Sequence, residues 1–334
     1  MNKKAKVNKM KTIKINFAGF WGSFKKEDNL FTRILSKKFN VEISENPDFV
    51  ICSNRGETFE YMKYDCVRII FMGENMSPDF TVFDYCIGFD YIDFGDRYFR
   101  MPFAFYFDNA KPWIPETLTY EKAKEILENK KYFCNFVYGH QSSHGMREKL
   151  FETLNTYKHV ESPGSYLNNT NNGKGRCSWA EKDKYVIASK FTIAGDSIVY
   201  PGFVTEKIVQ PFMQHSIPVY FGNPKIDDYF NKNAFVWCKS ESSLDKTLEE
   251  VKYLDTHDDA YIEMLMQSPL NNNEYTVELY NKLEDFLNNI FVQEPDEAIR
   301  RVRYFCAENH EKALREYYKK QQKIPGFIKK LKSI

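Results

Sequence analysis

Three short apolar runs near the start of the chain, "TIKINFAG", "DFVICSN" and "VRIIFMGEN", each close on small or polar residues. Between the first two lies "NLFTRILSKKF", with helical spacing. Strands that alternate with helices require an α/β architecture with a mostly parallel sheet, because parallel neighbours can be joined only by a crossover. In such sheets functional residues gather beyond the carboxyl ends of the strands. That directs attention to "GFW" (19–21), "SNRGE" (53–57) and "MGEN" (72–75).

The pattern breaks after "RMPFAFYF", where "DNAKPWIPET" has two prolines and no periodicity and suits an interdomain connection. It resumes with a helix in "YEKAKEILENKK", a strand in "YFCNFVYG" and a helix in "SSHGMREKLF". "SLDKTLEEVKYL" later places Leu244, Leu248, Val251 and Leu254 in helical register. We therefore expect an N-terminal Rossmann-like domain over 1–110, a linker over 111–124, a second Rossmann-like domain over 125–300 and a helical, basic tail over 301–334. The 334 residues, 43% hydrophobic and 16% aromatic, suffice for two cores.

Lys+Arg 47 against Asp+Glu 46 leaves +1, so no global basic field points to nucleic acid and any anion site must be local. Seven scattered cysteines without a C-x-x-C pair fit a reducing, cytoplasmic setting and exclude the usual zinc spacings. There is no run of about 18 apolar residues that could span a membrane. The end, "KIPGFIKKLKSI", reads either as a solvated tail or as a weak peripheral contact with the inner face of an anionic membrane. Neither G-x-G-x-x-G nor a P-loop is present, and "NNTNNGKG" (168–175) reads as a mobile loop. His140 and His144 lack a third ligand nearby, which argues against a metal site.

In "PGFVTEKIVQPFMQHSIPVYFGNP" a turn precedes a helix that begins around Thr205, Glu206 and Lys207, with Thr205 as N-cap. A cation in the first turn opposes the helix dipole. Either Lys207 points into water, or the helix start and the ammonium together make an anion site suited to phosphate. Arg147 poses the same choice at the start of the helix that Ser143 would cap, and the two cations together would clamp a diphosphate. Pro211 should kink its helix or delay its start. Among the carboxylates of "MGENMSPDFTVFDYCIGFDYIDFGDRYFRMP", Glu74 follows a strand and a glycine, and partial burial beside aromatics would raise its pKa toward that of a general base. Asp79, Asp84, Asp90, Asp93 and Asp96 read as turn, cap or salt-bridge residues with Arg97 and Arg100 as partners.

The "FMGEN…YFRMP" and "GFVTEK…YFGNP" segments, in that order, closely resemble the α-1,3/4-fucosyltransferases, in particular bacterial enzymes that build Lewis-type antigens; the likeness runs from about Lys14 to Leu270. The resemblance implies a GT-B architecture, two Rossmann-like domains facing a cleft, with the acceptor on the first and GDP-fucose on the second. It implies inverting, single-displacement transfer of L-fucose from GDP-β-L-fucose to the 3-OH of N-acetylglucosamine, or of the glucose of lactose, without an essential metal or cofactor. On this likeness Glu74 would be the general base and Glu206 would stabilise positive charge on the fucose ring. Arg147, Lys207, Ser197, Phe203 and Thr205 would bind the donor, and Trp21 and Asn75 the oligosaccharide acceptor. Ser197 stands where relatives carry an asparagine and Phe203 where they carry a tyrosine. Those two departures leave open a catalytically weakened glycan- or nucleotide-binding homologue, besides 1,4 linkage on type 1 chains and a different donor such as GDP-mannose.

Overall fold

Thr12–Ala18 forms strand β1, with Ile13, Ile15 and Phe17 buried. Helix α1 (Leu30–Leu35) follows and opens on a capping box in which Asn29 and Thr32 satisfy each other's backbone N–H groups. Strands β2 (Asn40–Ile43), β3 (Phe49–Ser53), β4 (Val67–Phe71), β5 (Tyr85–Gly88) and β6 (Tyr98–Arg100) complete a six-stranded, wholly parallel sheet in the order β2-β1-β3-β4-β5-β6. β3, β4 and β5 are buried along their whole length, as expected for strands covered on both faces.

A second parallel sheet combines β7 (Tyr132–Asn135), β8 (Val160–Glu161), β9 (Ser189–Gly195), β10 (Ile217–Phe221) and β11 (Val236–Trp237) in the order β11-β10-β9-β7-β8. Its helices are α2 (Tyr120–Glu128), α3 (Met146–Tyr157), α4 (Trp179–Ala188), α5 (Glu206–Met213), α6 (Leu244–Thr256) and α7 (Asp258–Leu265). Counted within each sheet, the first five strands share the order 2-1-3-4-5, which reverses direction between the first and third strands. Ligands of such sheets settle at that reversal, beyond the carboxyl ends.

The computed structural model describes residues 10–56, 59–170 and 177–324. It divides into two units, one built from residues up to Met101, Tyr106–Pro112 and the chain from Glu278 onward, the other from Pro102–Phe105 and Trp113–Val277. This differs from the sequence expectation, since 278–300 and the described part of the tail belong with the first unit and α2 begins within the expected linker. Helix α8 (Tyr275–Phe291) carries the chain back, followed by α9 (Pro295–Ala298) and α10 (Cys306–Gln322).

Buried charge explains why the tail belongs there. Arg68 of β4 is fully buried and pairs with Glu311 of α10 at 2.9 Å. Asp84, also fully buried, pairs with Arg301 and accepts the backbone N–H groups of Arg300 and Arg301 at 2.9 Å each. The acidic cluster takes the turn and salt-bridge roles expected, Asp79 and Asp93 accepting the N–H groups of Thr81 and Gly95, but Asp96 pairs with Arg300 and Asp79 with His310, while Arg97 donates to the carbonyls of Phe80, Phe83 and Asp84. Replacing Asp84 by alanine would leave Arg301 buried without its nearest carboxylate and should cost about 3–5 kcal/mol. Urea unfolding would report this, and an unshifted midpoint would mean the pair contributes nothing.

The mobile loop expected at 168–175 and the basic end, read either as a solvated tail or as a weak membrane contact, fall largely outside the described residues. Among the described residues no helix is long and apolar enough to cross a membrane.

Candidate functional site

In the first unit the carboxyl ends of β1, β3 and β4 bring "GFW", "SNRG" and "MGEN" together. The Gly56 N–H donates to the Gly19 carbonyl at 2.6 Å, and a Cβ on Gly56 would fall 2.1 Å from the Phe20 carbonyl oxygen, so only glycine fits. Asn54 clamps the next turn: its Oδ1 accepts the N–H groups of Gly73 and Glu74 at 3.0 and 3.1 Å, and its Nδ2 donates to the Glu74 carbonyl at 3.3 Å. Glu74 is thereby held at the rim, with Oε1 3.2 Å from Arg55 Nε. The burial expected of Glu74 is absent, because its side chain is 52% exposed and faces a guanidinium rather than aromatics.

Trp21 packs edge-on against Phe20, Phe24 and Tyr106 at 5.6, 5.4 and 5.8 Å, and Arg55 lies 5.9 Å over its ring. The Asn75 amide nitrogen is buried without a hydrogen-bond partner. Asn54 and Arg55 were not singled out from the sequence, although both lie in the strand-end segment it marked.

In the second unit the reversal lies between β7 and β9, which end at Asn135 and Gly195. Arg147, on the first turn of α3, is 1% exposed, stacks 4.2 Å over the Tyr138 ring and donates to the His140 carbonyl at 3.1 Å. Its Nε is buried with no partner. Room for it comes from Gly195, where a Cβ would fall 2.5 Å from Arg147 Cγ. The helix cap is Gly145, at φ +66°, and not Ser143 as the sequence suggested. Ser143 is recruited elsewhere, its hydroxyl and N–H donating to the Ser197 carbonyl at 2.5 and 3.1 Å and tying together the segments that lead into α3 and α5.

Helix α5 starts at Glu206 and runs without interruption through Pro211, so the delayed start expected from the proline does not occur. The proline instead leaves the Lys207 carbonyl without the helical donor another residue would supply. Thr205 occupies the N-cap position, but its hydroxyl does not cap the helix. It donates to Asp196 Oδ1 at 2.5 Å, so Thr205 gives the first turn of α5 no side-chain cap. Lys207 Nζ lies 3.2 Å from both Thr205 Oγ1 and Glu206 Oε1. Tyr138, Lys182, Lys207 and Gln210 line one small crevice, so Tyr138 links the Arg147 and Lys207 sides. Phe203 is 2% exposed and serves packing, and the Thr205 side chain is likewise buried.

Burial pushes the Glu206 carboxyl up, but Lys207 and Lys182 outweigh it and hold its pKa at about 2. Burial works against the charge of Lys207 too, yet Glu206, Asp196 and Tyr138 raise its pKa above the ordinary lysine value. At neutral pH both are therefore charged. Because the Glu206 pKa is depressed, its stabilising contribution is complete above its ordinary value of 4.5 and is lost only as pH falls toward about 2. A carbon-detected NMR titration of Glu206 should find its midpoint well below 4.5; a midpoint at the ordinary value would contradict the paired geometry. Among the described residues no group of His, Cys, Asp and Glu could hold a metal ion.

Parallel sheets of this order, one in each of two units, make up the GT-B class of glycosyltransferases. The α-(1,3)-fucosyltransferase FucT N-terminal domain matches residues 15–107, and the glycosyltransferase family 10 (fucosyltransferase) C-terminal domain matches residues 127–287. The chain belongs to the fucosyltransferases of glycosyltransferase family 10. It is 29% identical to the Helicobacter pylori α-(1,3)-fucosyltransferase FucT over 311 residues, 81% of this chain and 63% of that protein. It thus spans less than two thirds of that relative's length. A crystal structure of an α1,3-fucosyltransferase superposes with a TM-score of 0.70 at 26% identity, covering 91% of this chain and 96% of that one. An α1,3-fucosyltransferase solved with GDP-fucose gives 0.64 at 26% identity, covering 86% and 94%.

Proposed function

We propose that the chain transfers L-fucose from GDP-β-L-fucose, with inversion, to the 3-OH of N-acetylglucosamine or glucose in an N-acetyllactosamine- or lactose-type oligosaccharide. The observation that carries this reading is the start of α5, a helix N-terminus that Thr205 leaves without its cap and that bears Lys207, in the same unit as the unpartnered Nε of Arg147. Two cations at helix starts suit a nucleoside diphosphate, and the GDP-fucose complex of a similar enzyme supports the choice of donor.

In this reading Glu74 takes the proton of the acceptor hydroxyl as its oxygen bonds to the anomeric carbon of fucose. The bond to the diphosphate breaks on the opposite face, and Arg147 and Lys207 neutralise the charge that collects on the leaving group, so no general acid is needed. Glu206, ionised down to about pH 2, cannot act as an acid near neutrality and serves to stabilise positive charge on the sugar ring. On the family resemblance Asn75 and Trp21 would meet the acceptor, and the unpartnered buried amide of Asn75 supports that role.

With two side-chain cations doing the work of a metal, a chelator should leave turnover unchanged. Complete inhibition restored by a divalent ion would overturn the metal-free part of the proposal. Glycoside products analysed by NMR would test linkage and inversion together, and a retained anomeric configuration would reject single displacement.

A further inference from the structure

Asp196 is 1% exposed and both of its oxygens are engaged within the protein. Oδ1 accepts the Thr205 hydroxyl at 2.5 Å and Oδ2 accepts the Tyr220 hydroxyl at 2.8 Å, while the Tyr220 oxygen in turn accepts the Asn223 N–H at 2.8 Å. The backbone is cut away to admit this carboxylate: at Gly222, φ +156°, a Cβ would fall 2.7 Å from Asp196 Oδ2 and 2.5 Å from the Tyr220 oxygen. Such a group cannot meet a ligand directly, so its influence must pass through its partners.

A threonine hydroxyl has one hydrogen to donate and lone pairs with which to accept. Since the carboxylate of Asp196 can only accept, Thr205 gives its hydrogen to Asp196 and presents a lone pair to Lys207 Nζ, 3.2 Å away. Thr205 is extended at φ −117°, ψ 179°, the backbone setting of an N-cap, and threonine normally turns its oxygen onto the N–H groups of its own helix. Here Asp196 draws the oxygen off those groups.

We propose that Asp196 is a positioning residue for the donor diphosphate: it holds the Thr205 hydroxyl away from the N–H groups of α5 and, through that hydroxyl, fixes the Lys207 ammonium beside it. The inference rests on the donor-site reading above. Burial without an ion-pair contact pushes the Asp196 carboxyl up to about 6, a cost that a purely structural position could avoid with a neutral side chain.

Calorimetric titration with GDP tests this in five variants. Asp196→Ala and Thr205→Val should each weaken binding by about tenfold, the worth of one hydrogen bond to a charged group. The double variant should be no weaker than Thr205→Val alone, because both changes break one chain of contacts. Asp196→Asn, which keeps an acceptor for Thr205, should recover most of the affinity. Lys207→Ala separates the two levels of the argument. If it binds GDP as the wild type does, the donor-site reading itself fails. If it weakens binding while Thr205→Val does not, or if the double variant shows additive losses, the positioning role fails alone. Should Asp196→Ala not fold, Thr205→Val and Asp196→Asn decide: wild-type affinity in the first, or affinity in the second as poor as that of Thr205→Val, would refute the role.

Discussion

Glu74→Gln should abolish fucosyl transfer, lowering kcat by about 10²–10⁴-fold, the range for a lost general base, while GDP affinity stays close to wild type. Glutamine matches glutamate in shape, and the turn that carries residue 74 is held through its backbone by Asn54, so the site should keep its form. What is lost is the oxygen that accepts the proton. Single-turnover kinetics with GDP-fucose and lactose would measure the effect, alongside calorimetry for GDP. Turnover at the wild-type rate would remove Glu74 from the mechanism.

Lys207→Ala should raise the dissociation constant for GDP by about 10- to 100-fold, through loss of a charge-assisted contact together with its share of the helix-start field. The variant also leaves Glu206 without the cation 3.2 Å away, so kcat should fall beyond what weaker binding explains. Arg147→Ala should act in the same direction but also cost stability, because the guanidinium is buried against Tyr138 and fills space that Gly195 vacates. Comparing thermal melts of the two variants separates the effects. Equal GDP affinity in wild type and Lys207→Ala would leave the diphosphate without its counter-charge and undo the assignment of the donor site.

The alternation of apolar runs with helical spacing was enough to read two parallel α/β units, because a strand buried on both faces shows itself as a continuous apolar run. A strand end closing on small residues marked the segment that holds Glu74, and cations at helix starts marked those that hold Arg147 and Lys207. Long-range pairing was not legible. Nothing near Arg68 or Asp84 in sequence announces that their partners are Glu311 and Arg301, more than 200 positions away, and so the end of the chain was read as a separate tail. Competition for a single hydroxyl was equally hidden. Ser143 and Thr205 both stand where propensity makes them caps, but in the folded chain the Ser197 carbonyl and the Asp196 carboxylate hold those oxygens instead. Burial of Glu74 was inferred from aromatic neighbours in sequence, whereas Asn54 and Arg55 hold it at the solvent-facing rim.

In the proposed function Glu74 and the Arg147–Lys207 pair serve one reaction, fucosyl transfer from GDP-fucose to a sugar hydroxyl. The most direct test is GDP release from GDP-fucose with and without lactose, N-acetyllactosamine and a type 1 disaccharide, with product linkages assigned by NMR. The account expects release that depends on one of these acceptors and yields a new α-fucosyl linkage. GDP binding with no acceptor-dependent release from any of them, under conditions where an active fucosyltransferase turns over, would contradict it and favour a homologue that binds the nucleotide without transferring the sugar.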